Sequence, residues 1–248
     1  MGSSRLPGKV IMDLAGKPLL ARVVERAAAI PHVDRVILAT TTAERDRPLL
    51  RLARTCGAET FAGSENDVLD RYYQAARVFR AKTIVRITAD CPLLDPKVAG
   101  QVVRRFMKGD CDYVCNSLPP TFPDGLDTEV FSVDALERSW READLPSERE
   151  HVTPYIRKNP EKFRVVNVEN DRDLSDMRWT VDEAKDLEFA RAVYTYLHSA
   201  GVFFGMDDVL KLLAEHRELC EINPGLTRNE GYQKSIREDV VVSQKGAQ

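Results

Sequence analysis

The sequence predicts an α/β protein in which a mostly parallel sheet carries helices on both faces. β-branched runs at residues 33–40 (VDRVILAT) and 83–88 (TIVRIT) alternate with stretches whose apolar residues recur at helical spacing. Single helices between successive strands favour parallel pairing, because a parallel connection needs a crossover. Sheets of this Rossmann-like class bind ligands at the carboxyl ends of their strands, so we expect the functional site there.

Local signals justify the individual elements in chain order. Gly57 follows one helical stretch as a C-cap, Asp67 is a candidate N-cap, and Pro96 occupies the favoured first position of a helix. The predicted helices are residues 43–56, 67–79, 96–107, 186–198 and 207–219. The remaining predicted strands are residues 59–62, 113–115, 163–168 and 178–181.

We expect a single domain over residues 1–248. A chain of 248 residues with 43% hydrophobic content is long enough for one sizeable core. Residues 118–175 interrupt the regular alternation with a loop rich in proline and glycine, and are predicted to form a substrate-side flap. The polar tail at residues 239–248 is predicted to fray.

Composition argues against several classes of protein. The net charge of −3 and the pI near 5.9 disfavour a broad nucleic-acid-binding face, so no nucleic acid partner is expected. No apolar run approaches the ~20 residues of a membrane span, and the N-terminus lacks the apolar core of a secretory signal, so no membrane association is expected. Five cysteines, an odd number, do not indicate a disulfide framework, and we expect a cytoplasmic protein with reduced thiols.

Residues 2–9 (GSSRLPGK) form a candidate phosphate-binding loop. Small residues such as Gly2 and Ser3 let backbone N–H groups approach phosphate oxygens, and Arg5 and Lys9 add two positive charges. The spacing is not that of a Walker A loop, which also places a magnesium-binding Ser or Thr after its lysine. Composition alone leaves a second interpretation open, namely a flexible start with solvated basic residues.

Two aspartates that follow predicted strands are candidate magnesium ligands. Asp90 comes after strand 83–88 and Asp182 after strand 178–181, so both are expected at the ligand-binding edge of the sheet. Magnesium prefers hard oxygen ligands, usually one or two carboxylates together with phosphates and waters. The alternative is that either aspartate caps a helix or a turn.

Further polar residues are candidates for contacts with a nucleotide or an acceptor. Arg71, near the start of helix 67–79, is either solvated or a contact to a base or phosphate. A loop with several acids and a glycine can orient sugar hydroxyls, although Asp-Gly is also an ordinary turn signal. A histidine nearby in the sequence can help to hold an acceptor or can simply be a satisfied surface residue. The candidates of this group are Asp124, Asp127, Glu129, Glu150 and His151.

Several blocks in one order resemble the sugar nucleotidyltransferases. They are residues 2–9 with 16–20 (GKPLL), 63–72 (GSENDVLDRY), 86–93 (RITADCPL), 123–127 (PDGLD), 148–155 (EREHVTPY) and 178–182 (RWTVD). The sequence is similar to the CMP-3-deoxy-manno-octulosonate synthetase and acylneuraminate cytidylyltransferase group, and within it to the cytidylyltransferase-like proteins of spore coat polysaccharide biosynthesis. The resemblance spans nearly the whole chain and implies the nucleotide-diphospho-sugar transferase fold.

The resemblance also implies an activity. It implies a cytidylyltransferase that couples CTP to a sugar acid and releases pyrophosphate, for surface polysaccharide biosynthesis, with Mg²⁺ held by Asp90 and Asp182. The implied catalytic residues are Arg5, Lys9 and Asp90. The implied nucleotide site contains Gly2, Ser3, Arg5, Lys9 and Arg71, and the implied acceptor site contains Asp124, Asp127, Glu129, Glu150 and His151. A homodimer is compatible with the resemblance.

One departure from the family pattern keeps other functions open. In the family an apolar first strand ending in Gln-Ala-Arg precedes the loop, whereas this sequence begins at Met1, so we expect that strand to be missing from this chain. The alternatives are a glycosyltransferase that uses a nucleotide sugar and a non-catalytic nucleotide or sugar binder. The loop with Arg5 and Lys9 disfavours the glycosyltransferase, because a nucleotide-sugar donor has no γ-phosphate. Release of pyrophosphate from CTP and a sugar acid distinguishes the three.

Overall fold

The computed structural model describes residue 2 and residues 5–199, 202–224, 228 and 230–245, with side chains described up to residue 239. Within these residues the strands are β1 (Asp13–Leu14), β2 (Lys17–Pro18), β3 (Ile37–Thr41), β4 (Glu59–Gly63), β5 (Thr83–Arg86), β6 (Tyr113–Cys115), β7 (Glu129–Ser132) and β8 (Val165–Asn167). The α-helices are α1 (Leu19–Ala28), α2 (Arg47–Thr55), α3 (Val68–Val78), α4 (Pro96–Phe106), α5 (Val133–Glu142), α6 (Pro146–His151), α7 (Pro154–Lys158), α8 (Ala184–Leu197), α9 (Met206–Glu215) and α10 (Glu230–Lys245).

The strands form sheets that confirm the α/β class and correct one detail of its topology. β3 and β4 pair in parallel, and a four-stranded sheet has the order β5-β7-β6-β8. β6 and β8 are parallel, whereas β7 runs antiparallel to both of its neighbours. The sheet is therefore mixed where a mostly parallel one was expected. The reason is that the loop at residues 116–128 returns the chain directly beside β6, in the opposite direction.

The segment predicted as a strand at residues 178–181 forms only a single bridge, between Asp124 and Arg178. Individual backbone hydrogen bonds hold the segment against two loops instead of a full ladder. At the C-terminal end of the segment, the N–H of Val181 donates to the carbonyl of Asp90 at 2.8 Å. This bond places the end of the segment beside the loop that follows β5.

Residues 118–175, which the sequence predicts as a flap, contribute β7 and β8 to the four-stranded sheet and also supply α5, α6 and α7. Val130 and Phe131 in β7 are completely buried, so this segment is built into the core. Of the tail predicted to fray, residues 239–245 continue α10, and residues 246–248 lie outside the described part of the chain.

The core packs helices against the sheets through large apolar side chains. Trp179 is 2% exposed, and α1 buries one apolar face that includes Leu19 and Leu20. Complete burial of a side chain of this size typically contributes about 1.5–3 kcal/mol. The buried Arg26 donates to two backbone carbonyls at 3.0 Å each, so its charge does not lack acceptors. Among the described residues, no helix combines the length and the apolar character needed to cross a membrane.

Candidate active site

The ammonium group of Lys9 lies between the two candidate metal ligands. Its Nζ donates to Oδ2 of Asp90 and to Oδ1 of Asp182, at 2.9 Å each, and to the carbonyl of Val181 at 2.8 Å. An ammonium group has three N–H donors, so each one has an acceptor here. Lys9 is 9% exposed, which shelters these contacts from water. We call this group of Lys9, Asp90 and Asp182 the Lys9 cluster.

Charge attraction outweighs burial for two members of the Lys9 cluster. Burial lowers the pKa of Lys9, but the negative charges of Asp90 and Asp182 outweigh this effect and hold the pKa above its ordinary value. Burial raises the pKa of Asp90, but the charge of Lys9 reverses this effect and holds the pKa below its ordinary value. Lys9 and Asp90 are therefore both charged over a wide range around neutral pH.

Asp182 contacts three cationic side chains. Besides accepting from Lys9, it is paired through Oδ2 with Arg178 Nη2 and Arg5 Nη2, at 3.0 Å each. Arg5 also donates to Oε2 of Glu230, in α10, at 2.8 Å. Both cations that the sequence predicts for phosphate binding thus contact a carboxylate that it predicts for magnesium.

Asp186 positions Asp182 and was missed by the sequence analysis. Its Oδ2 accepts the backbone N–H groups of Asp182 and Glu183 at 2.9 Å each. Its Oδ1 accepts from Arg178 Nε at 3.1 Å and from Asn223 Nδ2 at 3.0 Å. Burial raises the pKa of Asp186, but the hydrogen bond from Arg178 and the other donors hold it below its ordinary value. Asp186 therefore accepts the backbone N–H groups just before α8. The carboxylate of Asp182 is left to face Lys9 instead of capping the helix.

A second acidic pair, Asp124 and Asp127, lies on the other side of Arg178. Arg178 Nη1 is 3.6 Å from Asp124 Oδ2, so this guanidinium connects the pair to Asp182. Arg228 forms an ion pair with Asp127, and its Nε is 4.0 Å from Asp124 Oδ1. Burial raises the pKa of Asp127 to about 7, against the opposing charge of Arg228 and with help from the charge of Asp124. Arg228 lies far along the sequence from this loop, and no local pattern pointed to it.

Glu129 is directed into the protein. Its Oε1 accepts from the hydroxyls of Tyr113 and Thr153, at 2.5 Å each, and Arg86 pairs with its Oε2. Burial raises the pKa of Glu129, but the charge of Arg86 outweighs burial and lowers it overall. These contacts tie β7 to β5, β6 and the start of α7.

Glu150 and His151 contact α10. The hydroxyl of Ser235 lies 3.0 Å from Nε2 of His151 and donates to Oε2 of Glu150 at 2.8 Å. The His151 ring packs edge-on against Tyr232, with ring centroids 5.1 Å apart. Burial lowers the pKa of His151, so its imidazole is neutral at neutral pH. The structure therefore places these two residues against the C-terminal helix.

The remaining nucleotide candidates are Gly2, Ser3 and Arg71. Gly2 is exposed and lies near the guanidinium of Arg45, whereas Ser3 lies outside the described residues. Arg71, in the first turn of α3, donates through Nη1 to the carbonyl of Ser64 at 2.9 Å. Its Nε is buried and has no hydrogen-bond partner among the described residues.

Asp90 and Asp182 fit a magnesium ion that is shared with a phosphate-bearing ligand. One oxygen of each carboxylate lies within hydrogen-bond distance of the same Lys9 nitrogen, so the two converge on one point. Across the part of the chain that is described, no three His, Cys, Asp or Glu side chains are grouped as a metal site. Magnesium often takes only one or two carboxylates and completes its shell with phosphates and waters, which matches this pair.

The sequence is similar to a known protein family and to several known proteins. Residues 1–219 match the family model described as cytidylyltransferase. An uncharacterized protein of Methanocaldococcus jannaschii is 34% identical over 239 residues, which cover 96% of this chain and 94% of that protein. The spore coat polysaccharide biosynthesis protein SpsF of Bacillus subtilis is 34% identical over 203 residues, which cover 78% of this chain and 82% of that protein. The 3-deoxy-manno-octulosonate cytidylyltransferase of Anaeromyxobacter dehalogenans is 40% identical over 111 residues, covering 44% of each chain.

Solved structures show the same fold. A cytidylyltransferase from Leptospira borgpetersenii is 32% identical and superposes with a TM-score of 0.86, covering 92% of this chain and 95% of that one. A CMP:2-keto-3-deoxy-manno-octonic acid synthetase solved in complex with CTP is 19% identical, with a TM-score of 0.58, covering 78% and 94%. At that identity the second likeness concerns the fold alone, and it agrees with the expected nucleotide-diphospho-sugar transferase fold.

Proposed function

The chain belongs to the cytidylyltransferase family and is a nucleotidyltransferase, and we propose that it transfers the cytidylyl group of CTP to a hydroxyl of a sugar acid. The observation that carries this proposal is the Lys9 cluster, in which two carboxylates and a buried cation converge beside the loop after β5. In the reaction the acceptor oxygen bonds to the α-phosphorus and loses its proton. The bond from that phosphorus to the bridging oxygen breaks, and pyrophosphate leaves.

Arg5 and Lys9 bind the triphosphate in this proposal. Their charges oppose those of the β- and γ-phosphates and of the pyrophosphate that leaves, where negative charge accumulates in the transition state. Gly2 and Ser3 belong to the same loop of the sequence and would supply backbone N–H donors to phosphate, and Arg71 is the candidate contact to the base or a phosphate. Most of the rate gain then comes from positioning and from fixed charges.

Asp90 and Asp182 would hold Mg²⁺. Bound there, the ion would polarise the α-phosphate. Asp186 and Arg178 keep the Asp182 carboxylate directed at this position through the hydrogen bonds described above. The backbone bond from Val181 to the Asp90 carbonyl keeps the two ligands at a fixed separation.

The acceptor binds on the side of Asp124 and Asp127 in this proposal. This side adjoins the Lys9 cluster, because Arg178 contacts both Asp124 and Asp182. Arg228 is a cation suited to an acidic acceptor, and the carboxylates can accept from sugar hydroxyls. Glu150 and His151, beside α10, and the buried Glu129 are the further residues that this proposal assigns to the acceptor site. A sugar acid for surface polysaccharide biosynthesis is supported by the names of the relatives, one of which acts on 3-deoxy-manno-octulosonate.

The purified chain tests this proposal directly. We expect pyrophosphate release with CTP, Mg²⁺ and a sugar acid such as 3-deoxy-manno-octulosonate or N-acetylneuraminate, and slower release with ATP, GTP or UTP. Mass spectrometry should detect the CMP-sugar. Turnover only with a pre-made nucleotide sugar would indicate a glycosyltransferase, and nucleotide binding without turnover would indicate a binder. The homodimer and the cytoplasmic location stay predictions. Light scattering of the purified protein would test the homodimer.

A further inference from the structure

Within the Lys9 cluster, the positive charge of Lys9 is paired with the negative charges of Asp90 and Asp182. Lys9 donates to both carboxylates, and Arg5 is 3.0 Å from Asp182 and 2.8 Å from Glu230. Phosphate binding and metal binding at this site require these same groups. The cations therefore have to leave the carboxylates before they can contact a triphosphate, and the carboxylates have to lose Lys9 before they can ligate a metal.

We propose that Lys9 is an internal counter-ion that occupies the metal position of the ligand-free enzyme and exchanges that position for the nucleotide phosphates. This inference rests on the function proposed above for the same site. In the exchange, Lys9 breaks its hydrogen bonds to Asp90, Asp182 and Val181 and carries its ammonium group to the phosphates. The two carboxylates are thereby released to ligate the divalent ion that accompanies the nucleotide.

The surroundings identify Lys9 as the member that moves. The Asp182 backbone and carboxylate are held by Asp186 and Arg178, and the Asp90 carbonyl is bonded to Val181. Lys9, by contrast, begins a 3-10 turn of only three residues that follows a left-handed Gly8, with φ of 71°. The described structure gives its ammonium group no contact beyond the three acceptors named above, and its stem of four CH₂ groups allows a large displacement.

This arrangement has a consequence for the order of binding. A buried ammonium group paired with two carboxylates competes with any cation that approaches them, because both need the same oxygens. The ligand-free enzyme should therefore bind a divalent cation weakly. A nucleotide should increase that affinity, because its phosphates provide an alternative partner for Lys9. Metal and nucleotide would then bind cooperatively, each favouring the state that the other needs.

The test is Mn²⁺ binding to the nucleotide-free protein, measured from the free Mn²⁺ signal in electron paramagnetic resonance. Lys9→Met should bind Mn²⁺ about tenfold more tightly than the wild type or better, a change of about 1.4 kcal/mol. The matched control is Lys17→Met, which removes a lysine that is paired with Glu25 at an exposed site. It should bind Mn²⁺ as the wild type does. Lys9→Met combined with Asp90→Asn should lose the gained affinity.

Two further measurements keep the test decisive. If Lys9→Met is poorly folded, Lys9→Gln, which can still donate to Val181, takes its place with the same expected gain. Mg²⁺ should also raise the melting temperature of either Lys9 variant more than that of the wild type. Equal Mn²⁺ affinity of the wild type and a folded Lys9 variant would overturn the exchange. None of these measurements needs turnover, so the two proposals can fail separately. If the wild type transfers cytidylyl groups but the Lys9 variants gain no Mn²⁺ affinity, the exchange is refuted and the proposed function stands. If the Lys9 variants gain Mn²⁺ affinity but the wild type transfers no cytidylyl group, only the proposed function is refuted.

Discussion

At the scale of single residues, Gly125 fixes the conformation of the loop that carries Asp124 and Asp127. Its backbone has φ of 107°, and an added Cβ would lie 2.6 Å from the backbone nitrogen of Thr180 and 2.7 Å from the carbonyl carbon of Trp179. Backbone atoms cannot yield as a flexible side chain can. Glycine at this position is therefore a requirement of packing as well as of backbone conformation.

We predict that Gly125→Ala lowers the free energy of unfolding by about 3 kcal/mol or more, through strain and overpacking. The control is Gly109→Ala, where φ is 78° but no atom lies within 4 Å of the added Cβ. It should cost only about 1 kcal/mol. Urea denaturation of both variants measures the difference, and equal losses would show that the close approach to Thr180 does not matter.

Asp127 should make stability depend on pH. Burial raises its pKa in the folded protein to about 7, well above that of an unfolded chain. The folded state thus binds this proton more tightly. The stabilisation is complete below about pH 4 and is lost as the pH rises through about 7.

Asp127→Asn removes the titrating group. The free energy of unfolding of the wild type relative to this variant should fall steadily between pH 4 and pH 7, as measured by chemical denaturation at several pH values. A difference that is constant over this range would contradict the raised pKa. Asp110→Asn, which removes an exposed carboxylate, should show no such fall.

At the scale of elements, buried hydrogen bonds from Ser147 to Asp239 help to hold α10 against α6. The backbone N–H of Ser147 donates to Oδ1 of Asp239 at 3.0 Å, and the Ser147 hydroxyl contacts Oδ2 of the same carboxylate. Both residues are buried. The same helix contributes Ser235 to the contacts with Glu150 and His151, so its docking positions these two residues.

Asp239→Ala should therefore loosen α10. Loss of a buried hydrogen bond to a charged group typically costs about 1.5–3 kcal/mol, so amide hydrogen exchange in α10 should accelerate by about tenfold or more. Glu238→Ala is the matched control, because Glu238 is exposed and pairs only weakly with Lys234. If both variants exchange at the same rate as the wild type, the Asp239 contact does not hold the helix.

Elements with local signals could be predicted from the sequence, and those that depend on distant pairing could not. Asp67 caps α3 as expected, since its carboxylate accepts the N–H of Asp70 at 2.8 Å, and α4 begins at Pro96 as expected. The reversed direction of β7 and the reduction of strand 178–181 to one bridge depend on which segments become neighbours in three dimensions. No residue pattern within either segment encodes that choice.

At the scale of the whole molecule, the parts of the site that could be predicted are those at the ends of strands. Asp90 and Asp182 were expected at one edge of the sheet, and the structure brings them to one nitrogen of Lys9. The supporting contacts of Asp186 and Arg228 were missed, because their partners come from different elements and follow no spacing rule. The catalytic and metal-binding roles of these residues stay predictions until they are measured.

Pyrophosphate release from CTP and a sugar acid by Asp90→Asn in Mg²⁺ tests most directly whether the Lys9 cluster is the catalytic site. The change is nearly isosteric, so the melting temperature should stay close to that of the wild type. Turnover should fall by about a hundredfold or more, because a ligand of the proposed metal and a partner of Lys9 is lost. Asp110→Asn should keep full activity. If a folded Asp90→Asn protein releases pyrophosphate at the wild-type rate, the Lys9 cluster is not the catalytic site.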